Sequence, residues 1–543
     1  MTGIAPSSAF QATSPAAFHD AESASLWLAE QPQANMPAML SSLRAEIEVF
    51  NLLDVSPRRR LKTLEVLRKA AFTVGLDCRR RCEGKPLPLA TAERSALDAA
   101  RHLWRSYAVG YEICLQACLD GDASLSKHAA RVAHRVSFCL RAEQLTCYAG
   151  GVLPEPGFWK SFHALFLAAE SLGCASVMEE DGLLGETRAS SVSGQYAMAL
   201  MLHLARPFSL SCGQLATAAR WLARWRELAR IEPSEDLDAR YWPIPLDLAT
   251  DGPIPENGNE DGIPRWLSLD GVLRKIRRRI DALSAGELPE NLKLGGGFPA
   301  KDCAALLETL ADRLQRPPPA VPADTAALPE ISVGIGLAAI HRLLGGEKMK
   351  EALRSPPPLA DDHLSAEQLA VFGRVVRETR PDAEAEVKVE LERWRQAQWE
   401  RGERGGLTLA RPPGNGTSRL ALRGLLAIDR KEGGYLLAII DGLWQGGDET
   451  LFCTAVPFAG DVTPRVAEIR NWTTGEVTRH PAIQIARSED RAYDCLLLPA
   501  GVLVRASGVR FFDGEGELLF GLRVSDCLER GGGVELWRAP DND

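Results

Sequence analysis

The hydrophobic period changes once along this chain of 543 residues, and that change limits what it can fold into. Up to about residue 400, apolar residues recur three and four apart. Met36, Met39, Leu40, Leu43, Ile47, Phe50 and Leu53 form one such stripe, and Leu61, Leu64, Leu67 and Ala71 the next. Ala96, Ala99, Leu103, Tyr107, Tyr111 and Cys114 form a third. The spacing predicts amphipathic helices. Past Gly406 the apolar residues fall into short alternating runs bounded by Gly, Pro, Asp and Asn. These runs, at 419–428, 435–440, 451–458, 465–472, 482–486, 495–498, 502–506, 509–512, 518–524 and 534–537, read as strands of a barrel or sandwich. The expected fold class is α+β multidomain, a long all-α N-terminal body followed by a C-terminal all-β domain.

Punctuation residues set the expected boundaries. Residues 1–22, rich in Ala, Ser and Pro, read as a disordered arm, and 23–240 as a helical bundle domain. No repeat of fixed period is present, so an irregular bundle is expected rather than a solenoid. Tyr196–Leu202 is apolar almost all round, as an interior helix would be. Trp221 and Trp225, with arginines between them, read as packing residues. A Pro/Gly/Asn-rich linker is expected at 241–265. A second helical region follows at 266–401, interrupted by a Pro-rich linker at 316–324. It opens on a basic helix, Leu273–Ile280, read as a solvated face, and includes helices at 334–354 and 364–378. The β-barrel domain is expected at 407–543.

Charge and motif content narrow the function classes. A formal net charge of -9 argues against bulk nucleic-acid binding. No window of 18 uninterrupted apolar residues is present, and the first residues lack the charged and apolar regions of a signal peptide. The chain is therefore expected in the cytoplasm. The 12 cysteines include no C-x-x-C pair. Cys78 with Cys82, and Cys114 with Cys118, are spaced to share helix faces and read as reduced core residues. Val333-Gly-Ile-Gly-Leu-Ala-Ala339 matches G-x-G-x-x-A but follows a Pro-rich linker and lacks a second βαβ unit, so it reads as a loop-to-helix turn. The glycine runs at 295–297 and 531–533 lack the Lys-Ser/Thr of a phosphate loop and read as turns. No G-x-S-x-G or H-E-x-x-H motif occurs. The expectation is a non-enzyme with no metal and no cofactor, working through protein partners on its helical body.

One constellation has a defined chemical sense. In a strand running 419–429, Arg419, Arg423 and Asp429 lie on the face opposite Leu420, Leu422, Leu426 and Ile428. Paired guanidinium groups suit phosphates, which they grip bidentately, and can stack on purines. Gly433-Gly434 allows close approach to the backbone. Arg-x-x-x-Arg followed by Asp/Asn-x-Ser-x-x-Gly resembles the signature of PilZ domains, small β-barrels that bind cyclic di-GMP. Arg419 and Arg423 match the first motif, and Asp429 and Gly434 match the ends of the second. Lys431 stands at the serine position. Gly433-Gly434-Tyr435-Leu-Leu resembles the start of the following PilZ strand. The resemblance covers about 418–490, and the layout is similar to large proteobacterial proteins with a helical N-terminal region and a terminal PilZ-like module. It implies a cyclic di-GMP receptor in which Arg419 and Arg423 hold phosphates and guanine edges. Asp429 would accept from a guanine edge, Gly433 and Gly434 would permit approach, and Lys431 would add a phosphate contact or block the pocket. The alternative is a non-enzymatic scaffold whose degenerate PilZ-like domain binds protein rather than nucleotide.

Overall fold

Helices form where the three-and-four spacing runs. In a computed structural model of the chain, the first of two compact units (residues 1–85 and 89–321) holds ten of them among the described residues. They are α1 (Ala21–Glu30), α2 (Met36–Leu52), α3 (Pro57–Cys82), α4 (Thr91–Leu119) and α5 (Ala129–Ala149). Then come α6 (Phe158–Ser171), α7 (Val192–Leu204), α8 (Cys212–Trp225), α9 (Asp270–Ser284) and α10 (Ala300–Arg313). The structure describes residues 16–539 except 33, 237–238, 256–261, 317–324, 326, 354–390, 399–405, 431–432, 472–476, 490, 504–505, 514–517 and 523–526. The expected helix at 364–378 and most of the linker at 316–324 lie outside the described residues.

Local chemistry fixes the helix starts. Asp20 accepts from the Ser23 amide at the head of α1 at 2.9 Å, and Ser211 with Gln214 forms a capping box on α8. Pro57 opens α3, where a missing N–H costs nothing. The predicted stripes face inward: Met39, Leu40, Leu43, Ile47 and Phe50 of α2, and Leu61, Leu64, Leu67 and Ala71 of α3, are buried in one continuous core. α7 is buried nearly all round, as its composition requires. Cys78, Cys82, Cys114 and Cys118 are free and buried.

Two boundaries move. Phe18, within the expected arm, is 1% exposed and packs on Trp27 and Phe50. Residues 241–265 are not a bare linker. Short strands β1 (Glu179–Glu180) and β2 (Ala189–Ser190) pair with each other. β3 (Arg230–Glu232), β4 (Ile244–Asp247) and β5 (Pro264–Ser268) form an antiparallel sheet in the order β3-β5-β4. Buried Asp247 ties that sheet by accepting from the Ala249 and Ile263 amides. Its prolines sit at strand positions in a small sheet, where lost donors are tolerated.

The second unit, residues 86–88 with 322–543, is strand-rich. It runs β6 (Glu330–Ile335), α11 (Leu337–Ala352), β7 (Glu392–Gln398), β8 (Leu407–Arg411), β9 (Leu425–Asp429), β10 (Tyr435–Gln445) and β11 (Leu451–Pro457). After these come β12 (Val462–Asn471), β13 (Val477–Ile485), β14 (Cys495–Pro499), β15 (Ala506–Phe512), β16 (Leu518–Leu522), β17 (Cys527–Gly531) and β18 (Val534–Arg538). Six strands close a barrel in the order β10-β11-β8-β7-β6-β9, and seven form a sheet ordered β16-β15-β12-β13-β14-β18-β17. Leu337 and Ile340 of α11 share a core with Leu425 and Leu437 of the barrel and Ile483 and Leu497 of the sheet.

The barrel therefore starts well ahead of residue 407. β6 and β7 fall inside the region expected to be helical, and both disguise themselves. β6 carries the first glycine of the G-x-G-x-x-A stretch, and Gly336, at φ +83°, turns the chain into α11. β6 pairs antiparallel with β7 and β9, so no parallel βαβ unit exists there. β7 opens on the charged residues Glu392, Arg393 and Arg395, yet its Trp394 is fully buried. Buried Glu392 accepts from Trp394 Nε1 at 3.1 Å and Arg411 Nη1 at 2.8 Å. A charge paired inside the barrel hides the alternation that would mark the strand. Among the described residues no helix is long and apolar enough to cross a membrane.

Candidate functional site

The arginine pair sits in a loop, not in a strand. The extended run expected from 419 breaks before Leu425, because Arg423 adopts φ +64° and the Gly424 amide closes a turn on the Ala421 carbonyl at 3.1 Å. Arg419 and Arg423 thus precede β9, and the expected common strand face with Asp429 does not form. The four steps of β9 from Leu425 to Asp429 span about 13 Å. Asp429 pairs with Tyr435 at the far end of the β9–β10 hairpin, where Gly433 (φ +104°) and Gly434 (φ +82°) make the turn. Positive φ at both positions suits glycine. Arg419 and Arg423 therefore occupy one end of β9, and Asp429, Gly433 and Gly434 the other. Lys431 lies outside the described residues.

Both guanidinium groups have partners. Arg423 Nη1 donates to Asp441 at 3.0 Å, and its Nε lies 2.9 Å from Glu529. Asp441 stands at a register shift in β10, between Ile440 and Gly442, and such a bulge re-aims a side chain. Glu529 comes from β17. The β17–β18 turn, Gly532-Gly533, has φ of +57° and +79° and seats Gly532 against Gly424. Arg419 donates to the carbonyls of Pro86 (Nη2, 2.8 Å) and Pro88 (Nε, 3.1 Å) within the same unit. Arg423, Asp441 and Glu529 are each about a third exposed, with side-chain exposures of 37, 30 and 36%. Ion pairs this accessible contribute little, and an incoming phosphate can exchange for them. Asp441 and Glu529 belong to no local motif around Arg423, and only the bulge and the hairpin bring them there.

The first unit has a denser polar centre. Asp181 accepts from Arg68 Nη1 at 2.8 Å, closes a second bond to Arg68 Nη2, and takes Arg135 Nη1 at 3.2 Å. Arg135 also reaches Glu65 at 2.9 Å, and Tyr111 donates to Glu65 at 2.7 Å. Burial pushes the Asp181 carboxyl up, but bonds from Arg68 and the charges of Arg68 and Arg135 outweigh this and hold it below its ordinary value. His134, 2.7 Å from Ser190 Oγ, is pushed down to about 3, first by burial and then by the Arg135 charge. A network this densely bonded ties α3, α4 and α5 to the β1–β2 connection.

No curated protein and no solved structure matches the chain. Residues 22–235, which span the helices of the first unit through α8, match the family model of the N-terminal domain of the cyclic-di-GMP receptor FimW.

Proposed function

We propose that this chain is a non-catalytic receptor for cyclic di-GMP, a regulator that passes the binding event to protein partners. The observation that carries the reading is the match of residues 22–235 to a domain of a cyclic-di-GMP receptor. It is supported by a second unit in which an Arg-x-x-x-Arg loop leads into a closed six-stranded barrel. We read that barrel as PilZ-like, with the receptor acting in the bacterial cytoplasm. Arg419 and Arg423 would hold the phosphates and guanine edges after exchanging their present partners. Asp429, Lys431, Gly433 and Gly434 would join the site only through a ligand or a movement that spans β9. Binding acts on partners only through a difference in affinity between two states. The Arg423–Glu529 pair, which ligand would break, supplies such a difference. In calorimetric titration of the full chain, Arg419→Ala/Arg423→Ala should abolish cyclic di-GMP binding, and Glu529→Gln should tighten it severalfold. Unchanged affinity in the double variant would remove these arginines from the site.

A specific observation favours a second reading. Both guanidinium groups are already engaged within the unit, as in a degenerate module that docks protein. In that case the full chain takes up no cyclic di-GMP, and the helical unit does the work as a scaffold.

A further inference from the structure

A cavity of about 370 Å³ lies inside the first unit, between α3, α4, α5 and α8. Arg79, Arg141, Arg220 and Arg226 line it, and Glu83 is the one acidic residue on its wall among the described residues. It adjoins, across Arg220 and Arg226, a wider hollow of about 790 Å³ that also reaches Arg224 and Lys293. Its volume falls in the range of small-molecule sites, roughly 300–1,000 Å³. Every residue of the narrower cavity lies within the 22–235 match.

The arginines here differ from those around Asp181. No hydrogen bond or ion pair to another described residue engages the guanidinium of Arg141 or Arg79, and the Nε of each is buried without a partner. Arg226 is 2% exposed and bonded to the Ala189 carbonyl at 2.9 Å, with Glu227 at 3.3 Å. Arg141 lies 5.5 Å from the Phe138 ring centroid, and Phe138 meets Trp104 edge-on at 6.0 Å. Burial, then the charges of Arg226 and Arg79, push Arg141 down to about 10. Arg79 and Arg141 are half-buried, and a partly desolvated cation facing other cations costs stability unless something negative joins it. Arginine forks are the side chains that take phosphate bidentately, and half-buried Phe72 on the same wall offers a flat group aromatic surface beside Phe138, whose ring already carries Arg68 and Arg141.

We propose that this cavity binds a phosphate ester carrying a flat aromatic ring, the chemistry of a nucleotide, with the phosphate held by Arg79, Arg141 and Arg226. The site is separate from the Arg419–Arg423 loop, and the proposal does not need that loop to bind anything.

The test is calorimetric titration of the full chain with GMP, cyclic di-GMP and inorganic phosphate, beside thermal melts without ligand. GMP should bind wild type and Arg419→Ala/Arg423→Ala equally, and bind Arg141→Gln and Arg79→Gln at least tenfold more weakly. Inorganic phosphate should compete at higher concentration. The ligand-free melting temperature of Arg141→Gln should equal or exceed that of wild type, because the substitution removes an unpartnered charge. Cyclic di-GMP binding that survives the double variant and falls in Arg141→Gln would support the cavity and overturn the loop assignment. Cyclic di-GMP binding lost only in the double variant would leave the receptor reading intact, and GMP then decides the cavity alone. Absence of GMP binding, or GMP binding unchanged in Arg141→Gln, would overturn the proposal. So would a lower melting temperature in that variant, which would make Arg141 structural. Phosphate binding as tightly as GMP would overturn the nucleotide class.

Discussion

Asp181 neutralises two guanidinium groups in a buried setting, which makes it the residue whose loss the helical unit should tolerate least. Asp181→Asn leaves Arg68 and Arg135 without their shared anion and should cost about 3–5 kcal/mol, read from chemical denaturation. Titrating residues set opposing pH slopes. Burial pushes His203 down to about 4, with Tyr148 Oη 3.1 Å from its Nδ1, and His134 to about 3. Below pH 6.5 the unfolded chain takes up protons these imidazoles refuse, so their contribution is lost as pH falls toward 4. Glu143 works the other way. It is 4% exposed and pushed up to about 7 by burial, with Oε2 unpartnered. Its contribution is present below pH 4.5 and lost as pH rises through 7, by at most on the order of 3 kcal/mol. Glu143→Gln should therefore raise the melting temperature more at pH 8 than at pH 5. His203→Gln should flatten the decline between pH 6.5 and 4.

At the level of elements, one turn controls the surroundings of Arg423. The β17–β18 turn uses Gly532 at φ +57°, and a Cβ there would run into the backbone of Gly424. Gly532→Ala should unseat the hairpin, release Glu529 from Arg423, and destabilise the second unit by about 1–3 kcal/mol in a denaturant melt. That turn was legible as a glycine run, but its docking was not, because β17 alternates exposed and half-buried residues and carries no hydrophobic signal. The helices were the most readable elements. The stripe of α3 and the middle of that of α2 map onto buried faces because helical periodicity is local, whereas in α4 the stripe is buried only from Leu103 on and Leu97 and Ala100, not Ala96 and Ala99, face the core at its start. The arginine constellation was legible as residues and misread as geometry, since the positive φ at Arg423 that ends the extended run belongs to a residue that seldom adopts it. Around Trp221 and Trp225 the reading of the sequence concerned the tryptophans alone and gave the neighbouring arginines no role. Their convergence with Arg79 and Arg141 depends on helices far apart in sequence.

At the scale of the whole molecule, the change of period at Gly406 marks where strands become easy to read rather than where the second unit starts. β6 and β7 supply two of the six barrel strands and lie ahead of that point. A fragment of residues 407–543 would leave β8 and β9 with open edges. It should fail to show a cooperative melt by circular dichroism, while residues 322–543 should show one. The two candidate sites, a surface arginine loop with exchangeable partners and a cavity where Arg79 and Arg141 have no hydrogen-bond or ion-pair partner among the described residues, belong to different units. A receptor reading thus requires intact chain for its decisive test. That test is calorimetric titration of the full-length protein with cyclic di-GMP. Saturable binding at micromolar affinity or tighter is the predicted result. A well-folded full-length chain that takes up no cyclic di-GMP would contradict the receptor assignment.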